Sequence, residues 1–110
     1  MGNYEVYRSE TFDRRLLKFP ENVEKIINNF ENQLEENPYV GKPLGFKWFR
    51  EKKFERYRVY YLIYEDLKVV YIITLSGKKD QQKAINTIKQ FLDKYRNEIE
   101  DLIKKDKKTI

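Results

Sequence analysis

An arginine inside an otherwise apolar segment is the residue whose type and position are best suited to chemistry. Arg58 lies in segment 57–64 (YRVYYLIY), where every other residue is aromatic or aliphatic. A guanidinium in such a setting is costly unless an anion accompanies it. The sequence leaves two hypotheses open. Arg58 binds an external anion such as a phosphate, or it forms a structural ion pair with Glu51 or Glu65.

Further basic residues lie at the ends of the neighbouring segments, and we predict that they converge on Arg58 to bind RNA. They are Lys52 and Lys53 before the strand, Arg56 in the turn, and Lys78 and Lys79 after the next strand. Arginine offers a planar fork for phosphate oxygens, lysine supplies a point charge or a proton, and a ring such as that of Tyr60 can stack on an unpaired base. Lysines at strand ends also commonly serve solubility alone, and most of the aromatic residues are expected to pack in the core.

Positive charge is concentrated in this central part of the chain. The whole protein has a formal net charge of +5. Residues 42–79 contain ten Lys or Arg and four Asp or Glu, a net charge of +6, so the remaining residues sum to −1. A basic region of this kind favours an anionic partner such as nucleic acid.

The composition excludes several kinds of chemistry. The chain contains no Cys and no His, which rules out thiolate nucleophiles, imidazole acid-base catalysis and the usual zinc sites. No tight group of acidic residues suggests a magnesium or calcium site, so we expect neither a metal nor a cofactor. No segment approaches the roughly 18 apolar residues of a membrane-spanning helix, and the N-terminus lacks a signal-peptide pattern. We therefore expect no membrane partner and a cytoplasmic location.

Hydrophobic periodicity predicts a single α+β domain over 1–110 with the order β-α-α-β-β-β-α. The sheet is expected to be twisted and antiparallel, with three or four strands, two N-terminal helices on one face and a long C-terminal helix. The basic tail at 104–110 is expected to fray. The predicted elements are a strand at 4–7, helices at 9–19 and 21–37, a turn segment at 38–45, strands at 46–54, 57–64 and 69–75, and a helix from Asp80.

Three apolar helix faces are expected to be buried. The first helix carries Phe12, Leu16, Leu17 and Phe19 on one face, and the second carries Val23, Ile26, Ile27, Phe30 and Leu34. In the last helix, Ile85, Ile88, Phe91, Leu92 and Tyr95 form a stripe that should pack on the protein's own sheet or on a second copy. A homodimer through the C-terminal helix is therefore one expectation.

The order of elements, the run 53–61 (KFERYRVYY), the apolar strand that follows and the exit 77–79 (GKK) resemble the RelE/ParE toxin superfamily of type II toxin–antitoxin modules. Residues 4 to about 92 carry the resemblance. The run 49–53 (FREKK) also resembles a strand of the phage-derived, HigB-like branch. The resemblance implies a toxin that is blocked by a cognate antitoxin.

Many members of that superfamily cleave messenger RNA on the ribosome by attack of a ribose 2′-hydroxyl on the adjacent phosphate. The resemblance implies that Arg58 stabilises the pentavalent phosphate. It implies that Lys53 acts as a base or an electrostatic stabiliser and that Lys79 neutralises the leaving side. Such chemistry requires neither metal nor histidine. The family's tyrosine after the basic exit aligns with Ile85, which keeps open the alternative of a non-catalytic, ParE-like toxin or a degenerate RelE-fold binding module.

Overall fold

Five strands form one sheet that carries helices on both faces in the computed structural model, which describes residues 2–108. Short 3-10 turns lie at Pro38–Val40 and Lys78–Asp80. The strands are β1 (Glu5–Arg8), β2 (Lys42–Phe46), β3 (Phe49–Phe54), β4 (Tyr57–Tyr64) and β5 (Val69–Gly77). The helices are α1 (Glu10–Leu16), α2 (Glu21–Glu36), α3 (Gln81–Gln90) and α4 (Leu92–Lys108).

The strand order is β1-β5-β4-β3-β2, so the longest strands occupy the centre. Strands β3 to β5 pair antiparallel in sequence, as expected, and β2 adds an antiparallel neighbour to β3, which brings the sheet to five strands where three or four were predicted. Strand β1 instead pairs parallel to β5, with Tyr7 opposite Tyr71. The prediction of a purely antiparallel sheet was therefore wrong at this edge. The chain returns through α1 and α2 before it enters the remaining strands, and such a crossover permits parallel pairing.

Strand β2 was not predicted, because proline and glycine, here Pro43 and Gly45, are typical of turns. Both are tolerated because β2 is the outermost strand and pairs with β3 alone. A proline on an edge strand need not donate a ladder hydrogen bond. Gly45 has a φ of 89°, a conformation that suits glycine, and the pairing with β3 is irregular between Pro43 and Phe46.

One core lies between the sheet and the pair α1 and α2. Val59, Tyr61 and Ile63 of β4 face this core, as the period of two predicts. The α2 stripe is buried at Val23, Ile27, Phe30 and Leu34, whereas Ile26 is half-buried. Leu17 is 86% exposed, and its assignment to the buried face was wrong, because α1 ends at Leu16 and the chain turns away.

A second core lies between the opposite face of the sheet and α3 and α4. Phe49, Tyr60 and Leu62 contribute from the sheet, and Ile88 and Ile99 contribute from the helices. The C-terminal region thus packs on the protein's own sheet, but the burial of Phe91 was wrongly predicted, since this residue lies at the helix break and is 42% exposed. The homodimer stays a prediction.

The C-terminal region is two helices and not one, because the helix is interrupted at Phe91 (φ −116°, ψ 29°). Residues 104–108 continue α4, and residues 109–110 lie outside the described part of the chain. The frayed tail stays a prediction, and a long-range contact joins this end of α4 to the sheet. The Tyr7 hydroxyl of β1 donates a 2.6 Å hydrogen bond to Asp106 Oδ2.

An exposed carboxylate joins the β4–β5 turn to the N-terminal half of the fold. Glu65 accepts hydrogen bonds from Lys68 Nζ, from the Tyr39 hydroxyl and, at 2.7 Å, from the Tyr4 hydroxyl. These donors stabilise the charged form, Lys68 most strongly, and lower the pKa of Glu65 from 4.5 to about 2.

A carboxylate with a lowered folded-state pKa stabilises the protein above its unfolded pKa, and that contribution is lost as the pH falls through the folded pKa. We expect part of the stability to disappear between pH 4.5 and pH 2 because Glu65 becomes protonated. Glu65→Gln should therefore show a smaller acid-induced drop of the urea midpoint than the wild type. Asp101→Asn is the control, and an equal change in both variants would contradict the role of Glu65.

Candidate functional site

The pairing of the three central strands places Arg58 between two polar residues. Arg58 lies opposite Lys53 of β3 on one side and opposite Ser76 of β5 on the other. Residues that pair directly across antiparallel strands project from the same face of the sheet. This face is the one that α3 covers, and Tyr60, two residues further along β4, shares it.

The guanidinium of Arg58 is buried and poorly satisfied. Arg58 is 8% exposed, and its Nε and Nη1 atoms are buried without a hydrogen-bond partner. Nε lies 4.0 Å from Oε1 of Glu51, which is the outer limit of an ion pair and too long for a hydrogen bond. Pairing with Glu65, one of the two structural alternatives, does not occur, because Glu65 is bound to Lys68 and two tyrosines.

The carboxylate of Glu51 is buried beside Arg58 and held by α3. Glu51 is 6% exposed, and its Oε1 accepts a 2.8 Å hydrogen bond from Nε2 of Gln81, the first residue of α3. The same oxygen therefore has one short contact with Gln81 and one long contact with Arg58. A buried donor without a partner costs about 1–3 kcal/mol, so the arrangement leaves Arg58 able to gain from an added anion.

Three of the other candidate cations follow from the strand pairing as neighbours of Arg58 or of its strand end, and one faces away. Lys53 is exposed and opposite Arg58, and the exposed Lys78 and Lys79 follow directly after Gly77, which pairs with Tyr57. Lys52 lies opposite Val59 and so projects from the α1 and α2 face, where its Nζ lies 6.0 Å from the centre of the Phe54 ring. The strand pairing thus places Lys53 beside Arg58 and Lys78 and Lys79 at the adjoining end of β5, and it separates Lys52 from them.

Arg56 and Tyr60 have positions that differ in their access to a ligand. Arg56 is exposed in the β3–β4 turn, with its guanidinium 6.0 Å from the centre of the Tyr57 ring. Tyr60 is 0% exposed and its hydroxyl lies 2.9 Å from Oγ of Ser76, so its ring is not available to stack on a base. Burial also raises the pKa of the Tyr60 hydroxyl, which keeps it protonated.

Sequence reasoning missed Ser76 and Gln81 and treated Glu51 only as a possible pairing partner. The position of Glu51 was readable, because it lies two residues before Lys53 and so shares its face. The Gln81 contact spans 30 residues and depends on how α3 packs, for which the sequence contains no local signal. Among residues 2–108, no group of three or more acidic side chains is placed to hold a metal ion.

The site is therefore a cationic surface around a buried arginine. Its exposed lysines can attract a polyanion, whereas the unpaired Nε and Nη1 atoms of Arg58 are buried, so a phosphate reaches them only when the groups that cover them shift. Within the described residues, no helix is long and apolar enough to cross a membrane.

No family model matches the chain, and no curated protein matches its sequence. Solved structures do match its fold. The RelBE2 toxin–antitoxin complex of Mycobacterium tuberculosis is 26% identical over 69% of this chain and 99% of that chain, with a TM-score of 0.61. A mutant of E. coli RelE in the free state is 18% identical over 78% of this chain and 98% of that chain, with a TM-score of 0.65. The archaeal RelE–RelB complex of Pyrococcus horikoshii is 21% identical over 69% of this chain and 96% of that chain, with a TM-score of 0.61.

Proposed function

We propose that this chain, whose fold is similar to those of RelE toxins, is the toxin of a type II toxin–antitoxin module and cleaves messenger RNA on the ribosome. A substrate of this kind is cytoplasmic. Two of the similar structures are complexes with an antitoxin, which supports a cognate antitoxin as the protein partner.

The observation that carries the proposal is the state of Arg58. Two of its nitrogen atoms are buried without a hydrogen-bond partner, and the nearby carboxylate of Glu51 remains 4.0 Å from Nε. A guanidinium kept for a structural ion pair would be expected to make short hydrogen bonds to its partner. One kept for a phosphate needs donors that are in place but unsatisfied, and this is the arrangement around Arg58.

The proposed reaction is the displacement of a ribose 5′-oxygen by the neighbouring 2′-oxygen. The 2′-oxygen–phosphorus bond forms while the phosphorus–5′-oxygen bond breaks, which leaves a 2′,3′-cyclic phosphate and a free 5′-hydroxyl. The 2′-hydroxyl proton goes to a base, and the leaving oxygen acquires a proton. Arg58 stabilises the charge of the pentavalent phosphate, Lys53 acts on the attacking side, and Lys79 neutralises the leaving side.

Mapping of RNA ends after induced expression tests the proposal. Cleavage should create new 5′-hydroxyl ends within translated messages soon after induction, and their number should fall when ribosomes are removed from the message by an initiation inhibitor. Growth arrest with unchanged RNA ends would overturn the nuclease activity and favour a toxin that only binds its target.

A non-catalytic, ParE-like toxin or a binding module of the same fold is the second candidate. The observation in its favour lies on α3. Ile85 occupies the position of the family's tyrosine, and it is 8% exposed within the second core, so it offers no polar group to the site. Such a protein would use the same cationic face to occupy its target without cutting RNA.

Lysines that contact phosphates should determine the salt dependence of RNA binding. Lys53→Ala and Lys79→Ala should each lower the slope of log affinity against log salt by roughly 0.7, because each lost phosphate contact releases fewer counterions from a single strand. Lys25→Ala, an exposed lysine on α2, is the matched control. The measurement is a salt series of RNA titrations by fluorescence anisotropy. If Lys25→Ala lowered the slope by the same amount, net charge alone would govern binding.

A further inference from the structure

Two aromatic rings lie exposed and stacked at the tip of the β2–β3 hairpin. Phe46 is 44% exposed and Trp48 is 38% exposed. Their ring centres are 4.6 Å apart and their planes differ by 17°. Each ring therefore covers one face of the other, and about two fifths of each residue remains exposed to solvent. Burial of both rings would be favoured by the hydrophobic effect. Their exposure as a pair is therefore typical of a binding surface.

An apolar cavity of about 520 Å³ adjoins Trp48. Its wall and floor come from Leu62 and Tyr64 of β4 and from Leu92 of α4. The Tyr64 hydroxyl is buried and has no hydrogen-bond partner. Burial raises the pKa of Tyr64, so the hydroxyl keeps its proton and can donate. An apolar wall suits the faces of a nucleobase, and the buried Tyr64 hydroxyl could serve the polar edge of the base only after a local shift exposes it.

The charges around this patch also fit a nucleic acid. Lys47 lies between the two aromatic residues in the sequence. Lys89 of α3 reaches the hairpin, because its Nζ atom lies 3.9 Å from the position that the Cβ atom of a side chain at residue 45 would occupy. Neither lysine forms a salt bridge within the described part of the chain. Lys89 therefore retains its charge for a phosphate, whereas the ammonium of Lys47 lies 5.1 Å from the centre of the Tyr39 ring and would have to leave it to reach one.

The two acidic residues at the rim of the cavity are already neutralised. Asp66 accepts two hydrogen bonds from Arg96, at 3.0 and 2.7 Å, and Glu65 is bound by Lys68. The guanidinium of Arg96 lies 5.4 Å from the centre of the Tyr64 ring, on one of its faces. The rim therefore carries no unpaired negative charge that would repel a phosphate.

We propose that Phe46, Trp48 and the adjoining cavity bind one unpaired base of the RNA that reaches Arg58. The claim that the ligand is RNA rests on the proposed function, whereas the position of the binding site is argued from the structure alone. Leu62 is four residues from Arg58 along β4, about 13 Å at the usual rise of a strand. This distance corresponds to about four stacked nucleotides. The base therefore lies on the same strand as the phosphate at Arg58, a few nucleotides away.

Trp48 is the single tryptophan of the chain, so its fluorescence reports directly on stacking. The probe is a 12-nucleotide single-stranded RNA with 2′-O-methyl groups, which cannot be cut, and the control ligand is a duplex of the same sequence. We expect the single strand to quench Trp48 emission and the duplex to bind without this quenching. Stacking of one base is worth about 1–3 kcal/mol, so Trp48→Leu should weaken single-strand affinity at least about fivefold.

Phe46→Leu and Phe91→Leu form a matched pair, since the two rings are 44% and 42% exposed and only Phe46 belongs to the patch. Phe46→Leu should weaken binding, and Phe91→Leu should leave it unchanged. Binding by anisotropy without quenching, or equal affinity in both variants, would overturn this docking place while the proposed cleavage stands. A wild type that binds no RNA, or equal quenching by the duplex, would also overturn it. RNA-end mapping judges the cleavage separately.

A second copy of the chain is the competing occupant. A Trp48 emission that shifts with protein concentration in the absence of RNA, together with a dimer in sedimentation, would assign the patch to self-association and overturn the proposal. We expect the emission to be independent of protein concentration.

Discussion

Arg58→Ala should abolish growth arrest and reduce RNA cleavage about 100- to 1,000-fold while the protein still folds. The loss corresponds to about 2.7–4 kcal/mol, the usual effect of removing one preorganised donor that stabilises transition-state charge. The fold should survive because the arginine makes no hydrogen bond through Nε or Nη1, and Glu51 keeps its bond to Gln81. Cleavage rate per folded molecule is the quantity to measure, with circular dichroism as the check on folding.

Two further variants sharpen this test. Arg58→Lys should recover only part of the activity, because an ammonium cannot reproduce the planar fork of a guanidinium. Arg15→Ala, an exposed arginine of α1, should retain wild-type activity. The opposite pattern would refute the catalytic role. If Arg58→Ala unfolds the protein and leaves the activity of the folded fraction unchanged, Arg58 is a structural partner of Glu51.

The faces of the elements could be predicted from the sequence because they depend on local periodicity. The α2 stripe at Val23, Ile27, Phe30 and Leu34 was readable because its spacing repeats every turn of a helix. The alternation in β4 correctly placed Arg58 on the face opposite Val59. Both predictions need only the identity of neighbouring residues.

The features that sequence reasoning missed depend on partners far away in the chain. Strand β2 has a proline and a glycine and becomes a strand only because β3 lies beside it. A four-residue strand such as β1 contains no signal for parallel or antiparallel pairing. The break at Phe91 has no proline or glycine to announce it. It follows from the fit of α3 and α4 to one sheet.

The candidate site also combines features that could be predicted from the sequence with features that could not. Lys53 and Arg58 could be brought together from alternation and hairpin pairing alone. Tyr60 shares their face, but the sequence did not reveal that α3 covers its ring completely. Trp48 was expected to pack in the core, since aromatic residues usually do, yet it lies exposed in a stack with Phe46. Position at a hairpin tip, and not residue type, determined the outcome.

Two leucines at opposite extremes of exposure give the second large expected effect, on stability. Leu34 is 0% exposed beneath the sheet, whereas Leu17 is 86% exposed beyond the end of α1. Leu34→Ala should lower the free energy of unfolding by about 2–5 kcal/mol, because it removes buried methyl groups and leaves a cavity. Leu17→Ala should change it by no more than about 0.5 kcal/mol. Urea unfolding followed by circular dichroism measures both.

The identical substitution in both variants makes this comparison a test of position alone. The amino-acid change is the same, and Leu and Ala differ little in helix propensity, so a difference of several kcal/mol in unfolding free energy reports the difference in burial. Equal losses in the two variants would contradict the structure, because they would require Leu17 to be buried in solution. Such a result at high protein concentration that disappears on dilution would identify a second copy as the group that covers Leu17.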